Sequence, residues 1–201
     1  MSQDHGFGPS QTPQVGLFEP YRGDRQEIQS LAEARHLAFV KQKNKVFGGE
    51  YTFLIDEYCQ YQNYMLLEQG RLPTLLNAPP DASVYFPSAT TVVILLPHEE
   101  PDELRTLYIA VQIGHLELHV TMPVTFPPSG LVYKMPQDSE TATHIRQQAM
   151  DFAEAFLLPK KILKLPNDRK RRSEYIDDLA ADRGVTTELV RHRVKTLFTA
   201  D

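Results

Sequence analysis

The amino-acid sequence predicts an α+β fold in which helices dominate and a small β-sheet completes the core. Three observations carry this prediction. Apolar residues recur at helical spacing in several long stretches, as in amphipathic helices. The apolar run at residues 91–96 is followed by Pro97, which cannot continue the hydrogen bonding of a strand. Gly184 separates two further helical patterns, in the manner of a helix C-cap.

The composition describes one globular core with a polar N-terminal tail. Hydrophobic residues make up 41% of the 201 residues, enough for a single domain with a small appendage. The sequence has no apolar run of 18 residues and no signal-peptide pattern, and we expect the single cysteine, Cys59, to pack as a small hydrophobe. These features lead us to expect a cytoplasmic protein that does not contact membranes. Residues 1–22 are assigned to a disordered tail, because residues 1–13 are rich in Gly, Pro, Gln and Ser.

Residues 23–80 are predicted to form an N-terminal helical region. An acidic cap with a glutamate three residues later predicts a helix over 25–43. A second helix is predicted over 51–69, because its apolar and aromatic residues form a wide face. The proline-rich connector at 72–81 predicts a rigid surface loop, with a domain hinge as the alternative.

The middle of the chain predicts short strands around two helices. Residues 84–86 and 91–96 are expected to form a hairpin or adjacent strands, and residues 131–135 a further short strand. Helices are predicted over 107–119 and 139–158. Two helices packed with a small sheet would form the core.

The stretch from Ala110 to His119 reads like a zinc-peptidase helix whose chemistry has been replaced. In the motif H-E-x-x-H, two histidines four residues apart bind zinc, and the glutamate acts as general base. Here the second histidine is His115, while the first histidine position holds Val111 and the general-base position holds Gln112. Valine offers no lone pair to a metal, and a neutral amide does not accept a proton from metal-bound water.

The wider pattern resembles the ImmA/IrrE family of zinc-peptidase-like proteins. Members show an apolar strand, a helix ending A-H-E-L-G-H-L-x-L-H, and a second helix of the form E-x-x-A-N-x-F-A-x-x-L-L-x-P. Residues 91–96, 107–119 and 146–159 follow that order, and the resemblance covers about residues 83–197. It implies a zincin-like core over 81–165.

The resemblance also implies that the third zinc ligand of the family is replaced. That ligand is a glutamate, and its position holds Arg146, a cation that would repel zinc. Three of the four chemical positions, Val111, Gln112 and Arg146, therefore lack the family's residue, and His115 alone remains.

Two further histidines leave a rearranged metal site as an alternative. His115 and His119 are four residues apart and share a helix face, and His144 could supply a third ligand. We favour core or capping roles for these side chains, and hence no cofactor, with zinc as the alternative. Glu117 and Glu154 are candidate bases by chemistry, and both are expected to be solvated surface carboxylates.

A cleft without peptidase chemistry can still hold an extended peptide. Gln112 either hydrogen-bonds within the cleft of the former peptidase site or helps to hold a bound peptide segment. Arg146 in the cleft would favour an acidic or C-terminal carboxylate partner; the alternative is that Arg146 lies on the solvent face.

Residues 166–201 predict a helix-turn-helix-like unit, with Gly184 at the turn. From residue 160 to 201 there are eleven Lys or Arg and seven acidic residues, so this end carries about +4 and the rest of the chain about −9. A basic end on an acidic body is a pattern that favours nucleic-acid contact.

A DNA-binding role would use exposed side chains of this basic end. Base edges would be met by Thr187, Arg191, His192 and Lys195. Phosphates would be met by Lys160, Lys161, Arg169, Lys170, Arg171 and Arg172. Three aspartates at 177, 178 and 182 argue against DNA, and packing of the helix pair against the fold is slightly favoured.

These patterns and the resemblance imply a catalytically inactive, ImmA/IrrE-like regulatory protein. It would bind a protein partner or peptide segment in the degenerate cleft, or DNA, in transcriptional control of a mobile element or stress response. Two alternatives stay open. One is an active metal-dependent peptidase with rearranged ligands that cleaves a repressor, and the other is a sequence-specific DNA-binding protein that uses the C-terminal helix pair.

Overall fold

The computed structural model describes residues 14–48, 51–68, 84–97, 101–122, 125 and 130–198. Residues 1–13 of the predicted tail and the connector at 72–81 lie outside the described residues. The described residues form a five-stranded sheet and six α-helices, with one 3₁₀ turn at Lys160–Ile162. In chain order the elements are β1 (Gln14–Leu17), α1 (Arg25–Phe47), α2 (Ile55–Tyr61), β2 (Tyr64–Glu68), β3 (Val84–Ser88), β4 (Thr91–Leu96), α3 (Asp102–His119), β5 (Leu131–Lys134), α4 (Ser139–Leu157), α5 (Arg169–Arg183) and α6 (Thr187–Phe198). This architecture confirms the predicted mainly helical α+β fold.

The sheet is mixed and has the strand order β1-β5-β3-β4-β2. Strands β3 and β4 pair antiparallel, which confirms the predicted hairpin. Strand β5 pairs antiparallel with β3, whereas the outer strands β1 and β2 pair parallel with β5 and β4. Both outer strands come from parts of the chain for which the sequence predicts no strand.

Two predictions for the N-terminal part are wrong. The helix predicted over 51–69 ends at Tyr61, because Asn63 takes a left-handed conformation with φ of 59°, which a helix cannot contain. The residues after it pair with β4 instead. Residues 14–17, assigned to the disordered tail, form β1.

Helix α1 begins as its sequence predicts. The Asp24 side chain accepts a hydrogen bond from the backbone N–H of Glu27, and the Glu27 carboxylate accepts one from the N–H of Asp24. This capping box satisfies two N–H groups that have no partner within the helix. The helix continues beyond residue 43 and ends at Gly48, whose φ is 69°.

Helix α4 lies at the centre of the helical layer, packed against α1, α3 and α6. Gly114 lets α3 approach it closely, since a Cβ atom at that position would lie 2.9 Å from the carbonyl oxygen of Ala149. Because three helices surround α4, every residue from 151 to 157 is buried. Polar residues in this stretch are therefore interior groups.

Two smaller predictions can be compared with the structure. Cys59 is buried in the main apolar cluster, and burial raises the pKa of its thiol to about 12, so it packs as a small hydrophobe as predicted. Within the part of the chain that the structure describes, no helix is long and apolar enough to cross a membrane.

Candidate functional site

The motif positions lie on the face of α3 that packs against α4 and the sheet. Ile109, Ala110 and Ile113 are fully buried and fix this face by apolar contact. As a consequence Gln112, His115 and His119 are buried as well, and Val111 is half-buried.

His115 and His119 form a buried pair. Their Nδ1 atoms lie 3.1 Å apart, as expected for residues one turn apart on a helix face. Burial, together with smaller electrostatic contributions from His119 and Arg146, lowers the pKa of His115 to about 3. Burial also lowers the pKa of His119 to about 4, against a hydrogen bond to Gln148 that raises it. Both rings are therefore neutral imidazoles at neutral pH.

Gln148 of α4 determines which ring nitrogens carry protons. Its Oε1 accepts a hydrogen bond from the N–H of Tyr21 and its Nε2 donates to the carbonyl oxygen of Tyr21, at 3.0 Å and 2.8 Å. This double contact fixes the orientation of the amide. The second contact of Oε1, 3.2 Å from Nε2 of His119, therefore needs a proton on that nitrogen.

The tautomer of His119 in turn fixes that of His115. A neutral His119 with its proton on Nε2 has an unprotonated Nδ1, so the Nδ1–H of His115 must donate across the 3.1 Å contact. Nε2 of His115 is then the nitrogen of the pair that keeps a free lone pair. We infer these proton positions from the hydrogen-bond geometry.

The segment of residues 14–21, here called the N-terminal strap, covers this pair. Its Phe18 is 1% exposed and stacks on the ring of His115 with 4.6 Å between centroids. The same ring stacks on Tyr133 of β5 at 5.6 Å. The N–H of Phe18 donates to the carbonyl oxygen of Lys134, and the N–H of Glu19 donates to that of His119.

Gln112, at the general-base position, is buried but incompletely paired. Its Oε1 accepts no hydrogen bond from any residue that the structure describes, and a buried amide oxygen without a donor is costly. One of the two interpretations predicts that Gln112 hydrogen-bonds within the cleft. Its Oε1 makes no such bond among the residues that the structure describes.

Arg146 and His144 lie on the exposed side of α4. Arg146 contributes to the lowered pKa of His115, and His144 contributes to that of His119. Both side chains are therefore close enough to act on the buried pair by charge while remaining in contact with solvent. Arg146 is exposed, as the alternative prediction of a solvent-facing side chain states.

Glu117 and Glu154 are not solvated surface carboxylates, so this prediction is wrong for both. The Glu117 side chain is 14% exposed and accepts two hydrogen bonds from the guanidinium group of Arg35. Glu154 is 4% exposed, and its Oε1 lies 2.8 Å from Nδ1 of His192. Burial raises the pKa of Glu154, and His192 opposes that shift.

Helix α6 is fixed to the fold by buried polar groups. Arg193 has no exposed surface; its Nε donates to the carbonyl oxygen of Leu158, and its Nη2 lies 2.8 Å from Oε1 of Glu33. His192, predicted to face base edges, is half-exposed but contacts the buried Glu154. One face of α6 is therefore occupied by α1 and α4.

The remaining predicted nucleic-acid contacts are mostly on the surface. Thr187 is half-buried, and Arg169 is the first residue of α5. Arg191 lies 3.7 Å from Asp177 and 3.9 Å from Glu188, so acidic neighbours partly neutralise it. Among these predicted contacts, the exposed cations are Lys160, Lys161, Lys170, Arg171, Arg172, Arg191 and Lys195.

The comparison with family models agrees with the family resemblance. The model of the IrrE N-terminal-like domain, peptidase family M78, matches residues 73–195. The chain belongs to this family. No curated protein matches the chain in sequence. Among solved structures, a Mycobacterium tuberculosis transcriptional regulator is similar over 86% of this chain, at 19% identity and a TM-score of 0.45, and the chain spans 48% of that protein's length.

The residues at the motif positions do not fit the zinc ion of the family's peptidase motif. Val111 and Arg146 occupy two of the ligand positions that the resemblance predicts, and neither side chain donates a lone pair to zinc. Among the described residues, no group of three or more His, Cys, Asp or Glu side chains is arranged to hold a metal ion. The set His115, His119 and His144 is therefore not brought together as ligands.

The sequence interpretation missed three residues that build this site: Phe18, Tyr21 and Gln148. A signal for Gln148 is present, because it lies at helical spacing from the apolar residues Ile145 and Phe152, and a polar residue within an apolar stripe is an interior group. Phe18 and Tyr21 carry no such local signal. Their roles depend on a contact with residues more than 90 positions away.

Proposed function

We propose that this IrrE N-terminal-like domain is catalytically inactive and acts in regulation by binding another macromolecule, with protein as the first candidate partner. The observation that carries the proposal is the state of His115. This histidine is neutral, paired with His119 and covered by Phe18. The setting of the binding, transcriptional control in a mobile element or a stress response, follows from the family resemblance alone.

The surrounding groups support a role without hydrolysis. Gln112 stands at the general-base position, and an amide does not take up a proton from water. The two carboxylates considered as candidate bases are engaged elsewhere, Glu117 by Arg35 and Glu154 by His192. The thiol of Cys59 is buried and its pKa is raised to about 12, so it is not a reactive thiolate.

Metal content and peptide hydrolysis test this proposal together. We expect protein purified without chelators to hold zinc far below one equivalent and to leave unstructured peptides intact. The triple variant Val111→His, Gln112→Glu, Arg146→Glu, which rebuilds the motif, should take up zinc. One equivalent of zinc in the wild type, lost in His115→Ala, would show an active or rearranged metal site and contradict the proposal.

DNA is the second candidate partner, favoured by the exposed cations at 160–161 and 170–172. If these residues meet phosphates, affinity for duplex DNA must fall with salt, by a log–log slope of roughly 0.9 per contact. The double variant Lys160→Gln, Lys161→Gln should then lower the slope by about 2. The matched control, Lys41→Gln with Lys45→Gln on α1, should leave it unchanged. Absence of any salt slope in the wild type would eliminate DNA.

A further inference from the structure

We propose that the cleft at His115 is a groove for an extended peptide with an aromatic side chain, and that the N-terminal strap is its resident, displaceable ligand. The occupant that the groove fits is a segment of a partner protein with the pattern Gly-x-Phe. This inference rests on the proposed function, because an active peptidase would cut such a segment instead of holding it.

The backbone of the strap is held as a bound strand would be. Residues 14–17 pair in parallel with β5, and the next two N–H groups donate to the carbonyl oxygens of Lys134 and His119 at 3.0 Å and 3.1 Å. These contacts involve only main-chain atoms of the strap. Any extended segment can therefore make them, which is the basis of peptide recognition by strand addition.

The side chains of the groove select for one aromatic residue. Phe18 lies between the rings of His115 and Tyr133 and is the only residue of 14–21 that is buried. The neutral state of His115 suits an apolar ring, since a charged imidazolium would carry a desolvation cost beneath it. The groove thus offers one aromatic site.

The groove also selects for a small residue two positions before the aromatic one. A Cβ atom on Gly16 would lie 3.1 to 3.3 Å from three atoms of the Tyr133 ring. A larger side chain at this position would have to displace the Tyr133 ring, which stacks on Phe18, and would so disturb the aromatic site. The recognised pattern is therefore Gly-x-Phe.

Gln148 supplies a further main-chain contact three residues beyond the aromatic one. Its amide binds both the N–H and the carbonyl oxygen of Tyr21. Because these bonds again use only backbone atoms of the strap, they fix the path of a segment without selecting its sequence. His119 holds the same amide from the other side, so the contact is preformed.

Apart from Phe18, the strap buries little of its own surface. Val15 and Leu17 are 51% and 55% exposed, so β1 buries little apolar surface. A cavity of about 250 Å³ borders the strap on one side, lined in part by Gly16, Thr121 and Met122. Segments with few buried contacts and exposed backbone bonds open well below the free energy of global unfolding.

A tethered strap also sets the condition for partner binding. A segment joined to its groove by a short linker competes at an effective concentration in the millimolar range. A free peptide of similar affinity is therefore excluded from the wild type. Weakening the strap in cis should expose the groove to a peptide in trans.

Fluorescence titration with a labelled synthetic peptide of residues 12–22 tests this directly. We expect full-length Phe18→Ala to bind the peptide at least tenfold more tightly than the wild type. Full-length Leu17→Ala, a change at the exposed neighbouring residue, should behave as the wild type. Peptides with Phe18→Ala or Gly16→Val should lose binding to the Phe18→Ala protein, and mass spectrometry should recover the bound peptide uncut.

Several results would overturn the inference. One is that the wild type and a folded Phe18→Ala protein bind the peptide with equal affinity. Another is that the Phe18→Ala peptide binds as well as the unchanged peptide. A third is that the wild type forms a dimer in which the two copies exchange their straps. If Phe18→Ala does not fold, hydrogen exchange of the wild type decides. The inference requires that the amides of Phe18, Glu19 and Tyr21 exchange through an opening of the strap while the amides of α3 and α4 stay protected. If the strap amides were as strongly protected as those of α3 and α4, displacement would be refuted. Cutting of the peptide would instead refute the proposed function.

Discussion

Two parts of α4 hold opposite ends of the described chain by different chemistry. At the middle of the helix, Gln148 binds the strap and His119 through neutral hydrogen bonds. Toward its C-terminal end, Glu154 contacts His192, and Arg193 bonds to Glu33 and to the carbonyl oxygen of Leu158. One attachment is uncharged and the other is ionic.

This difference indicates which of the two attachments can open and be replaced by an incoming segment. Neutral backbone bonds leave no charge behind when they open, and an incoming strand can remake them. A buried ion pair is different, because removal of one partner strands the other charge in a medium of low polarity. We therefore expect the strap to open while α6 stays fixed.

The largest effect should come from breaking the ionic attachment. Arg193→Ala leaves Glu33 and Glu154 without their buried cation, and we expect a loss of about 3–5 kcal/mol in the free energy of unfolding. Arg191→Ala, two residues away on the same helix, removes only exposed contacts at 3.7 and 3.9 Å and should cost less than about 1 kcal/mol. Urea denaturation of both variants measures the contrast, and equal losses would contradict it.

The neutral attachment should be the acid-sensitive one. His115 and His119 at this attachment have pKa values lowered from 6.5 to about 3 and 4, chiefly by burial. His36 of α1, outside the attachment, has its pKa lowered to about 4 by the same cause. The unfolded chain then binds protons that the folded chain does not. The contribution of these histidines to stability is therefore unchanged above pH 6.5 and falls as the pH drops from 6.5 toward 4, by on the order of 3 kcal/mol for each ring. The loss from His115 continues toward pH 3.

The variant His119→Gln should make stability fall less steeply below pH 6.5, because one histidine with a lowered pKa is gone while the hydrogen bond to Gln148 can be kept.

Glu154 supplies a contribution of the opposite sign. Burial raises its pKa above 4.5, so its contribution favours the folded state below pH 4.5 and is lost as pH rises through the raised value. Glu154→Gln should remove that loss. Unfolding curves between pH 4 and 8 check both signs, and an unchanged fall in stability below pH 6.5 in His119→Gln would contradict the assignment.

The close contact between α3 and α4 should show a smaller, purely steric effect. Gly114→Ala places a methyl group 2.9 Å from the carbonyl oxygen and 3.2 Å from the Cα of Ala149, and backbone atoms cannot move aside as a side chain can. We expect a loss of about 1–3 kcal/mol from overpacking. Thermal unfolding measures it, and an unchanged Tm would show that α3 and α4 have room to separate.

The smallest effect should be seen far from α4. Asp56 and Arg105 form a two-point ion pair at 3.0 and 3.1 Å, with the Asp56 side chain 52% exposed. Solvent screening limits such a pair, so Asp56→Ala should cost about 0.2–1 kcal/mol. A larger loss in urea denaturation would mean that exposed ion pairs in this fold are stronger than the contrast between Arg193 and Arg191 assumes.

Local sequence signals predicted those elements whose structure is decided locally. The capping box at Asp24, the hairpin strands and the long helices α3 and α4 follow from periodicity, caps and breakers. The same logic failed at residues 64–68, because an apolar run suits a strand as well as a helix. There the left-handed Asn63 and the pairing with β4 decide the outcome.

The cleft could be predicted only in part for a related reason. The substitutions at Val111, Gln112 and Arg146 can be read from the motif alone. The cover over His115 cannot, because Phe18 and Tyr21 reach the site through contacts between distant parts of the chain. Glu154 was misjudged because helical spacing shows one buried face, whereas α4 is enclosed by three helices.

The most direct test of the central claim is nitrogen NMR of the histidine side chains at pH 5.5, with and without one equivalent of zinc. We predict that both rings are neutral, with His115 protonated on Nδ1 and His119 on Nε2, and that zinc leaves the Nε2 signal of His115 unchanged. A protonated ring at that pH would contradict the buried, covered pair. A zinc-bound Nε2 of His115 would contradict the account of a cleft that binds without catalysis.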